Sequence, residues 1–401
     1  MSATSFHAAW IFPISQPPIR DGYCTVENGQ VTDFGAKPTS GATIIDLGDT
    51  AILPRPVNAH THLEFSDLTQ PLGHRGMNFA AWIGEVLAQR SSRSAPKSQS
   101  IELGLRELEA ALTGTVGEIA TLPSAAEDYG RSTLPGVTFH ELLSTDLDRG
   151  LARLSEITGL ADNWHADLPL HFGLSPHAPY TVHWELFNKA VDLAAQRNWP
   201  VAMHLGESLD EMELLRSHSG KLHQLLIDRG VWNPSGLPRG IGLADYLRKL
   251  LEAPVALAIH GNFFGDEEYE ILARCHERMS LVVCPRTCDY FLPSLPPIAE
   301  LLAKSVHVAL GTDSRATNPD LNIWNEAKFL LSKPTGLAPS QVLRMVTLQG
   351  AEALGLQDRC GQIELGTKIA SLATVEIPTR EENPELAATQ MILAELRAFP
   401  D

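Results

Sequence analysis

A short apolar run, rich in β-branched residues, recurs along this chain and usually ends in a polar or ionisable residue. The eight runs are Ala51–His60, Thr115–Thr121, Gly136–Leu143, Leu168–His177, Pro200–Glu207, Pro254–Asn262, Ser280–Thr287 and Val306–Ser314. Segments of helical pattern lie between many of them, including Trp184–Arg197, Asp210–Arg229 and Asp266–Arg278. Apolar strands that alternate with helices are typical of a parallel sheet covered on both faces. Eight such units predict an α/β protein with a (β/α)8 TIM-type barrel.

The two ends of the chain predict a second, smaller unit. Alternating runs punctuated by glycine precede the barrel region and indicate hairpins, and two more strand-like runs follow it. We therefore expect residues 51–359 to form the barrel, and residues 1–50 with 360–380 to pair into a small β-sandwich domain. Residues 381–401 are expected to place a helix, Glu385–Ala398, on the outside of the protein.

Charge and cysteine content exclude several functional classes. The formal net charge is −17, from 31 Lys and Arg against 48 Asp and Glu, whereas nucleic-acid or anionic-membrane binding needs basic patches. The 5 cysteines are odd in number and sparse, which is typical of a reducing compartment. Neither a signal-peptide pattern nor an apolar run of roughly 18 residues is present. We expect a cytoplasmic enzyme that acts on a small molecule, without a nucleic-acid or membrane partner.

Ionisable residues stand where a barrel enzyme needs them, since active sites of this fold lie at the C-terminal ends of the strands. His60 and His62 are two residues apart, so on a strand both imidazoles point to the same face. His204 and Asp313 end two further runs. Three neutral imidazoles and a carboxylate suit Zn²⁺ or Fe²⁺, with one position open for water. These residues therefore predict one divalent metal, for which we favour Zn²⁺ over Fe²⁺.

Three other residues have both a catalytic and a structural interpretation. Glu207 lies three residues after His204, where a carboxylate beside a metal acts as general acid and base; alternatively it is an acid favoured by a helix N-terminus. His260 ends another run and either lies near the metal and its water or is a core histidine. His177, between two prolines, either contacts the substrate or makes a structural hydrogen bond.

Taken together, these residues resemble the amidohydrolase superfamily, in its ATZ/TRZ and cytosine-deaminase-like branch. The motifs that carry the resemblance are Asn58–Glu64, Ser175–Thr181, His204–Glu207, Ile259–Gly261, Cys284–Thr287 and Gly311–Ser314. The resemblance implies the same four metal ligands, His60, His62, His204 and Asp313. It also implies that Glu207 shuttles a proton, that His260 contacts the hydrolytic water, and that Asp313 takes a proton from that water.

The resemblance also bears on the number of metals and on the substrate contacts. Binuclear members of the superfamily bridge two metals with a carboxylated lysine on a mid-barrel strand. Neither Gly136–Leu143 nor Leu168–His177 contains a lysine, so a single metal is expected. Substrate contacts are implied for His177, Glu64 and Trp82, and homodimers are common in this branch.

The expected function is hydrolytic deamination. A bound metal lowers the pKa of its water towards 7, so that hydroxide attacks a C–N carbon of a heterocyclic or amidine substrate and ammonia leaves. One alternative is hydrolytic dechlorination on the same scaffold; Glu207 favours the amine, which needs protonation before it leaves. A second alternative is a catalytically idle, metal-binding barrel. The substrate stays open among cytosine- or guanine-like bases, aminated nucleosides and s-triazines, because fold does not dictate function.

Overall fold

The computed structural model describes residues 3–93, 96–121, 126–129, 132–164, 168–377 and 381–400. Within these residues the strands form two sheets, and the larger one has nine parallel strands. Numbered in chain order, its strands are β6 (Val57–His62), β7 (Thr115–Ala120), β8 (Gly136–Leu142), β9 (Leu170–Pro176), β10 (Val201–Leu205), β11 (Ala256–His260), β12 (Met279–Val283), β13 (Val308–Leu310) and β14 (Asp313–Ser314). From β6 to β13 each strand neighbours the next in sequence order, as in a singly wound barrel.

The larger sheet closes on itself through one segment. β13 lies at one end of the strand order and β14 at the other, and only Gly311 and Thr312 separate them in the chain. β14 pairs with β6, with Asp313 opposite Thr61. A Cβ atom at Gly311 would lie 2.7 Å from the Cβ of His60, so this approach of the last strand to the first requires glycine. The (β/α)8 TIM-type barrel expected from the sequence is confirmed.

The smaller sheet combines strands from both ends of the chain. Its seven strands, counted within the described residues, are β1 (Thr4–Ile11), β2 (Ile19–Glu27), β3 (Gln30–Gly35), β4 (Thr43–Asp46), β5 (Thr50–Pro54), β15 (Leu372–Glu376) and β16 (Leu396–Ala398). β15 pairs antiparallel with both β5 and β16, which joins the two ends of the chain. Phe6, Cys24, Ile52 and Phe399 belong to its buried apolar core. The expected small, strand-rich domain is therefore present.

One strand prediction and one helix prediction need correction. The run Ala51–His60 forms two strands, because Pro56 offers no backbone N–H for a ladder and β5 ends before it. β5 belongs to the small sheet and β6 to the barrel, so the chain crosses between the sheets at Arg55 and Pro56. The predicted helix Glu385–Ala398 ends at Leu393, and the residues of β16 cover the edge of β15 instead.

Helices surround the barrel. They are α1 (Phe79–Ser92), α2 (Lys97–Ala110), α3 (Leu147–Asp162), α4 (Trp184–Arg197), α5 (Leu209–Ser217), α6 (Lys221–Asp228), α7 (Leu243–Leu250), α8 (Asp266–Arg274), α9 (Pro285–Phe291), α10 (Ile298–Ala303), α11 (Ile323–Ser332), α12 (Pro339–Met345), α13 (Leu348–Ala353) and α14 (Pro384–Leu393). The predicted helix Asp210–Arg229 is divided into α5 and α6, since His218 and Gly220 adopt positive φ angles of 53° and 94°. In the described chain we find no helix long and apolar enough to cross a membrane.

Candidate metal centre and active site

The four predicted metal ligands converge at the C-terminal end of the barrel. His60 and His62 end β6, His204 lies in β10, and Asp313 begins β14. The Nε2 atom of His62 lies 3.3 Å from Nε2 of His204 and 3.6 Å from Oδ1 of Asp313. His60 Nε2 lies 3.8 Å from the same carboxylate oxygen. Ligand atoms bound at about 2.1 Å around one tetrahedral Zn²⁺ are separated by about 3.4 Å, so this spacing matches a single metal.

The hydrogen bonding of these histidines also fits a metal. His60 is fully buried, and neither of its ring nitrogens has a hydrogen-bond partner among the described residues. His204 Nδ1 lies 2.9 Å from the backbone carbonyl of His177, so it donates there and its Nε2 lone pair faces the cluster. Burial, and then the neighbouring histidines, lower the pKa of His60 and His62 well below 6.5. The imidazoles are therefore neutral, the form that binds divalent metals.

Hydrogen bonds position the carboxylate of Asp313. The backbone N–H of Ser314 donates to its Oδ1 at 2.7 Å. Burial raises the pKa of Asp313 to about 7, and hydrogen bonds from Ser314 and from the Thr287 and Thr317 side chains oppose that rise. The carboxyl group can therefore both hold and release a proton near neutral pH.

Glu207 provides a second carboxyl group beside the cluster. Its Oε1 lies 3.6 Å from Nε2 of His260, and potential ligand atoms of Glu207, His260 and Asp313 all lie within 4.8 Å of one another. The carboxylate of Glu211 accepts the backbone N–H groups of Gly206 and Glu207 at 3.0 and 2.8 Å, which holds the turn after β10. Burial, and then Asp313 and Glu211, raise the pKa of Glu207 well above 4.5. A protonated acid is thus available next to the metal cluster.

Two site residues have unusual backbone conformations. His260 and Asp313 have positive φ angles of 74° and 58°, and non-glycine residues in sparsely populated regions cost about 1–3 kcal/mol each. Glycine would relieve the strain but would remove the imidazole and the carboxylate. The backbone at these strand ends directs both side chains into the site, and the ring of His260 stacks on that of His204 with centroids 5.5 Å apart.

A cavity of about 820 Å³ opens from the cluster towards the solvent. His177 and Trp82, two of the predicted substrate contacts, line it. The apolar residues of its outer part include Ile83 from α1, together with Leu226 and Trp232 from α6 and the loop after it. A cavity of this size, apolar with a few polar groups, is typical of a small-molecule site.

The third predicted substrate contact, Glu64, has a different position. Within the described chain it is not among the residues that line the cavity. Its buried carboxylate pairs with the guanidinium of Arg90, and Arg93 donates to its backbone carbonyl at 2.5 Å. Arg90 stands between Glu64 and the cavity, so the contact of Glu64 with substrate stays a prediction and the structure offers Arg90 in its place.

Glu141 and Arg90 were not identified from the sequence, although both line the cavity. Glu141 lies near the end of β8, with its Oε1 3.7 Å from Nε2 of His177. His140 and Glu141 begin like a zinc-protease motif that the sequence does not complete. A signal for Glu141 existed, because it is an acidic residue at the end of a predicted barrel strand. Arg90 lies on a helix and offered no such signal.

Comparison with known proteins bears on the family to which the chain belongs. The model of the amidohydrolase family matches residues 51–394, which includes the barrel and its ligands. The chain belongs to the amidohydrolase family. The resemblance stated from the motifs is therefore confirmed. A similar curated relative of this amidohydrolase is 5-methylthioadenosine/S-adenosylhomocysteine deaminase of Moorella thermoacetica, 28% identical over 391 residues, which are 92% of this chain and 84% of the relative.

Solved structures resemble this amidohydrolase over nearly its whole length. The aminofutalosine deaminase of Helicobacter pylori, solved with methylthio-coformycin, has a TM-score of 0.82 at 23% identity and covers 98% of this chain and 97% of its own. An adenosine deaminase of Xanthomonas campestris with bound zinc has a TM-score of 0.72 at 25% identity, covering 99% and 90% of the two chains. The first likeness concerns the fold alone, and the second also connects the fold with zinc.

Proposed function

We propose that this amidohydrolase is a zinc-dependent deaminase that removes the ring amine of an adenine nucleoside carrying a further group on its sugar. The observation that carries the reaction type is Glu207, a buried carboxyl group with a raised pKa beside the histidine cluster. Ammonia is a poor leaving group until it is protonated, so deamination needs an acid at this place. The prediction of a deaminase from the sequence is confirmed at the level of the reaction class, since the relatives named above are deaminases.

The metal would be held by His60, His62, His204 and Asp313, whose donor atoms have the spacing and protonation described above. Three imidazoles and one carboxylate form a donor set that Zn²⁺ accepts. When bound, the metal supplies an activated water for attack on the ring carbon that carries the amine.

Three residues move or position protons in the proposed reaction. Asp313, whose carboxylate lies 3.6 Å from His62 and 3.8 Å from His60, accepts a proton from the attacking water. Glu207 donates its proton to the adjacent ring nitrogen, then takes the proton of the newly added hydroxyl group and passes it to the departing amine as the carbonyl forms. His260, with Nε2 3.6 Å from Glu207 and its ring stacked on His204, orients the water and the new hydroxyl group.

The size and lining of the cavity support the substrate class. Its volume of about 820 Å³ exceeds what a free base fills, and apolar residues line its outer part. Arg149 and Arg229 also line it, and no ion pair with another described residue involves either of them. A nucleoside whose sugar carries an apolar or anionic group would place its purine near the metal cluster and Trp82, its sugar near His177, and its extension between α1 and α6. Arg149 and Arg229 would then offer hydrogen bonds to that extension.

A substrate panel tests this function. Ammonia and chloride release would be measured with zinc-loaded protein on adenosine, 5′-methylthioadenosine, cytosine, guanine and a chlorinated s-triazine. We expect ammonia from the nucleosides and a decrease of about 10²–10⁴-fold in kcat for Glu207→Gln with unchanged zinc content. Undiminished deamination by this variant would contradict the role of Glu207.

The same panel separates the alternatives. Chloride release from the triazine without ammonia from any amine would establish dechlorination. A purified protein that holds about one equivalent of zinc or iron but gives no product from any substrate would favour the idle, metal-binding barrel. Light scattering of the same preparation would test the expected homodimer.

A further inference from the structure

Glu141 is a buried acid that the proposed reaction does not use. Its side chain is only 1% exposed, yet it lines the cavity. The hydroxyl of Thr121 lies 3.0 Å from its Oε2. No hydrogen bond from the described residues reaches its other oxygen, Oε1, whose nearest charged or imidazole group is His177 Nε2 at 3.7 Å. One oxygen is therefore anchored to the protein, and the other is open to the cavity.

The surroundings hold this carboxyl group in place. Thr121 lies 3.0 Å from Glu64 as well as from Glu141, and Glu64 in turn pairs with Arg90. The hydroxyl group of Thr121 has one proton, so it cannot donate to two ionised carboxylates at once. Thr121 therefore donates to Glu64, and the carboxyl group of Glu141 is protonated and donates to the oxygen of Thr121. Burial raises the pKa of Glu141, which agrees with this arrangement, while Arg90 opposes the rise. Oε1 is then a fixed hydrogen-bond acceptor that faces the cavity.

His177 lies between Glu141 and the metal cluster, since its Nε2 is 3.7 Å from Glu141 Oε1 and its ring centroid is 4.9 Å from that of His204. Glu207 follows β10 and His260 ends β11, whereas Glu141 lies on β8. Neighbouring strands are about 4.8 Å apart, so β8 lies roughly 10 Å from β10 along the barrel wall. This separation is comparable to that between the reacting carbon of a purine nucleoside and its sugar hydroxyl groups.

We infer that Glu141 binds a hydroxyl group of the substrate through Oε1 and so selects nucleosides with an intact sugar diol. The inference rests on the proposed deamination of nucleosides and adds the residue that recognises the sugar. The protein leaves this acceptor without a donor among the described residues, and a substrate hydroxyl supplies one. His177, beside Glu141, contacts the same part of the substrate.

The test compares two substrates and three variants. Deamination of 5′-methylthioadenosine and of its 2′,3′-dideoxy analogue would be measured with the wild-type enzyme, Glu141→Met, Thr121→Val and Asp146→Asn. Asp146 is the matched control, because it is another acid that lines the cavity, and Asn keeps its cap on α3, where Asp146 accepts the N–H of Arg149 at 2.9 Å. Zinc content and Tm would establish that each variant is folded.

We expect Glu141→Met, which removes the acceptor oxygen, to lower kcat/KM for the diol substrate by about 10–100-fold and to change kcat/KM for the dideoxy substrate little. Thr121→Val should show a weaker form of the same pattern, and it replaces Glu141→Met in the test if that variant does not fold. Asp146→Asn should change kcat/KM for the two substrates equally. Equal losses on both substrates for Glu141→Met and Thr121→Val would overturn the inference.

Binding measurements keep this inference separate from the proposed activity. Calorimetry with purine riboside, which lacks the amine, and with its dideoxy analogue needs no turnover. A preference of the wild-type protein for the riboside that Glu141→Met removes would support the role of Glu141, even if no ammonia is released from any nucleoside. Ammonia release without such a preference would support the proposed function and reject the inference.

Discussion

Histidines at the two ends of the barrel differ in their hydrogen bonding. At the N-terminal end of the strands, His307 Nδ1 lies 2.8 Å from Ser280 Oγ, and its Nε2 lies 2.5 Å from Glu352 Oε2. At the C-terminal end, His60 is fully buried and neither of its nitrogens has a hydrogen-bond partner in the described part of the chain. Burying an unpaired polar group costs free energy. A histidine paired with protein groups is therefore structural, and one left unpaired indicates a ligand.

The largest expected effect comes from exchanging these histidines for alanine in turn. His60→Ala should reduce bound zinc from about one equivalent to near zero, and ammonia release should fall by at least about 10³-fold because the catalytic groups act as a unit. His307→Ala should retain both the zinc and the turnover. Elemental analysis and ammonia assays on the two variants provide the measurement. Loss of zinc from His307→Ala but not from His60→Ala would contradict the assignment of His60 as the ligand and of His307 as the structural histidine.

A smaller effect is expected on the stability of the N-terminal end. His307→Ala removes two hydrogen bonds and leaves Ser280 and Glu352 without their partner, so the free energy of unfolding should fall by about 1–3 kcal/mol. For a domain of this size each kcal/mol lowers Tm by about 2–4 °C. Calorimetry of zinc-loaded protein measures this change. An unchanged Tm would show that the trio Ser280, His307 and Glu352 contributes little to stability.

The smallest effect concerns pH. In the metal-free protein the pKa of His60 lies well below its unfolded value of 6.5, so below that pH the unfolded chain binds more protons and this histidine reduces stability as pH falls. Carboxyl groups with raised pKa values, such as Asp313, act in the opposite direction. The pH dependence of stability in one protein therefore contains both effects. The contribution of His60 is obtained by comparing the wild type with a variant that lacks this histidine.

Thermal unfolding of the metal-free proteins at pH 7 and pH 5 isolates the contribution of His60. His60→Asn should lose a few degrees less than the wild type on acidification, at about 2–4 °C for each kcal/mol. Equal losses in the two proteins would mean that His60 takes up its proton without difficulty, which would contradict the burial described here.

Much of the barrel and of the metal site could be predicted from the sequence because both depend on local patterns. Apolar runs that end in His60, His204 or Asp313 identify the strands and the end that carries the chemistry, since parallel strands direct their C-terminal ends to one face. The spacing of His60 and His62 by two residues sets their common direction on β6. The pattern for α4, Trp184–Arg197, agrees with the helix observed.

Other features depend on contacts between distant segments. β16 forms because the edge of β15 needs a partner, although the residues of β16 continue a helical pattern. Arg90 reaches Glu64 across 26 positions of sequence, and this pairing moves Glu64 away from the cavity. Whether a carboxyl group faces the cavity or forms an ion pair depends on the hydrogen-bond donors that surround it.

The sequence by itself determined the barrel, the four candidate metal ligands and the acid Glu207, because strand period and residue chemistry are properties of the chain. The tertiary structure decided that Glu141 faces the cavity with one oxygen unpaired, and that Arg90 separates Glu64 from it. It also showed that His307 is fully paired while His60 is not. The physical reason is that a polar group's role follows from the partners that folding brings to it.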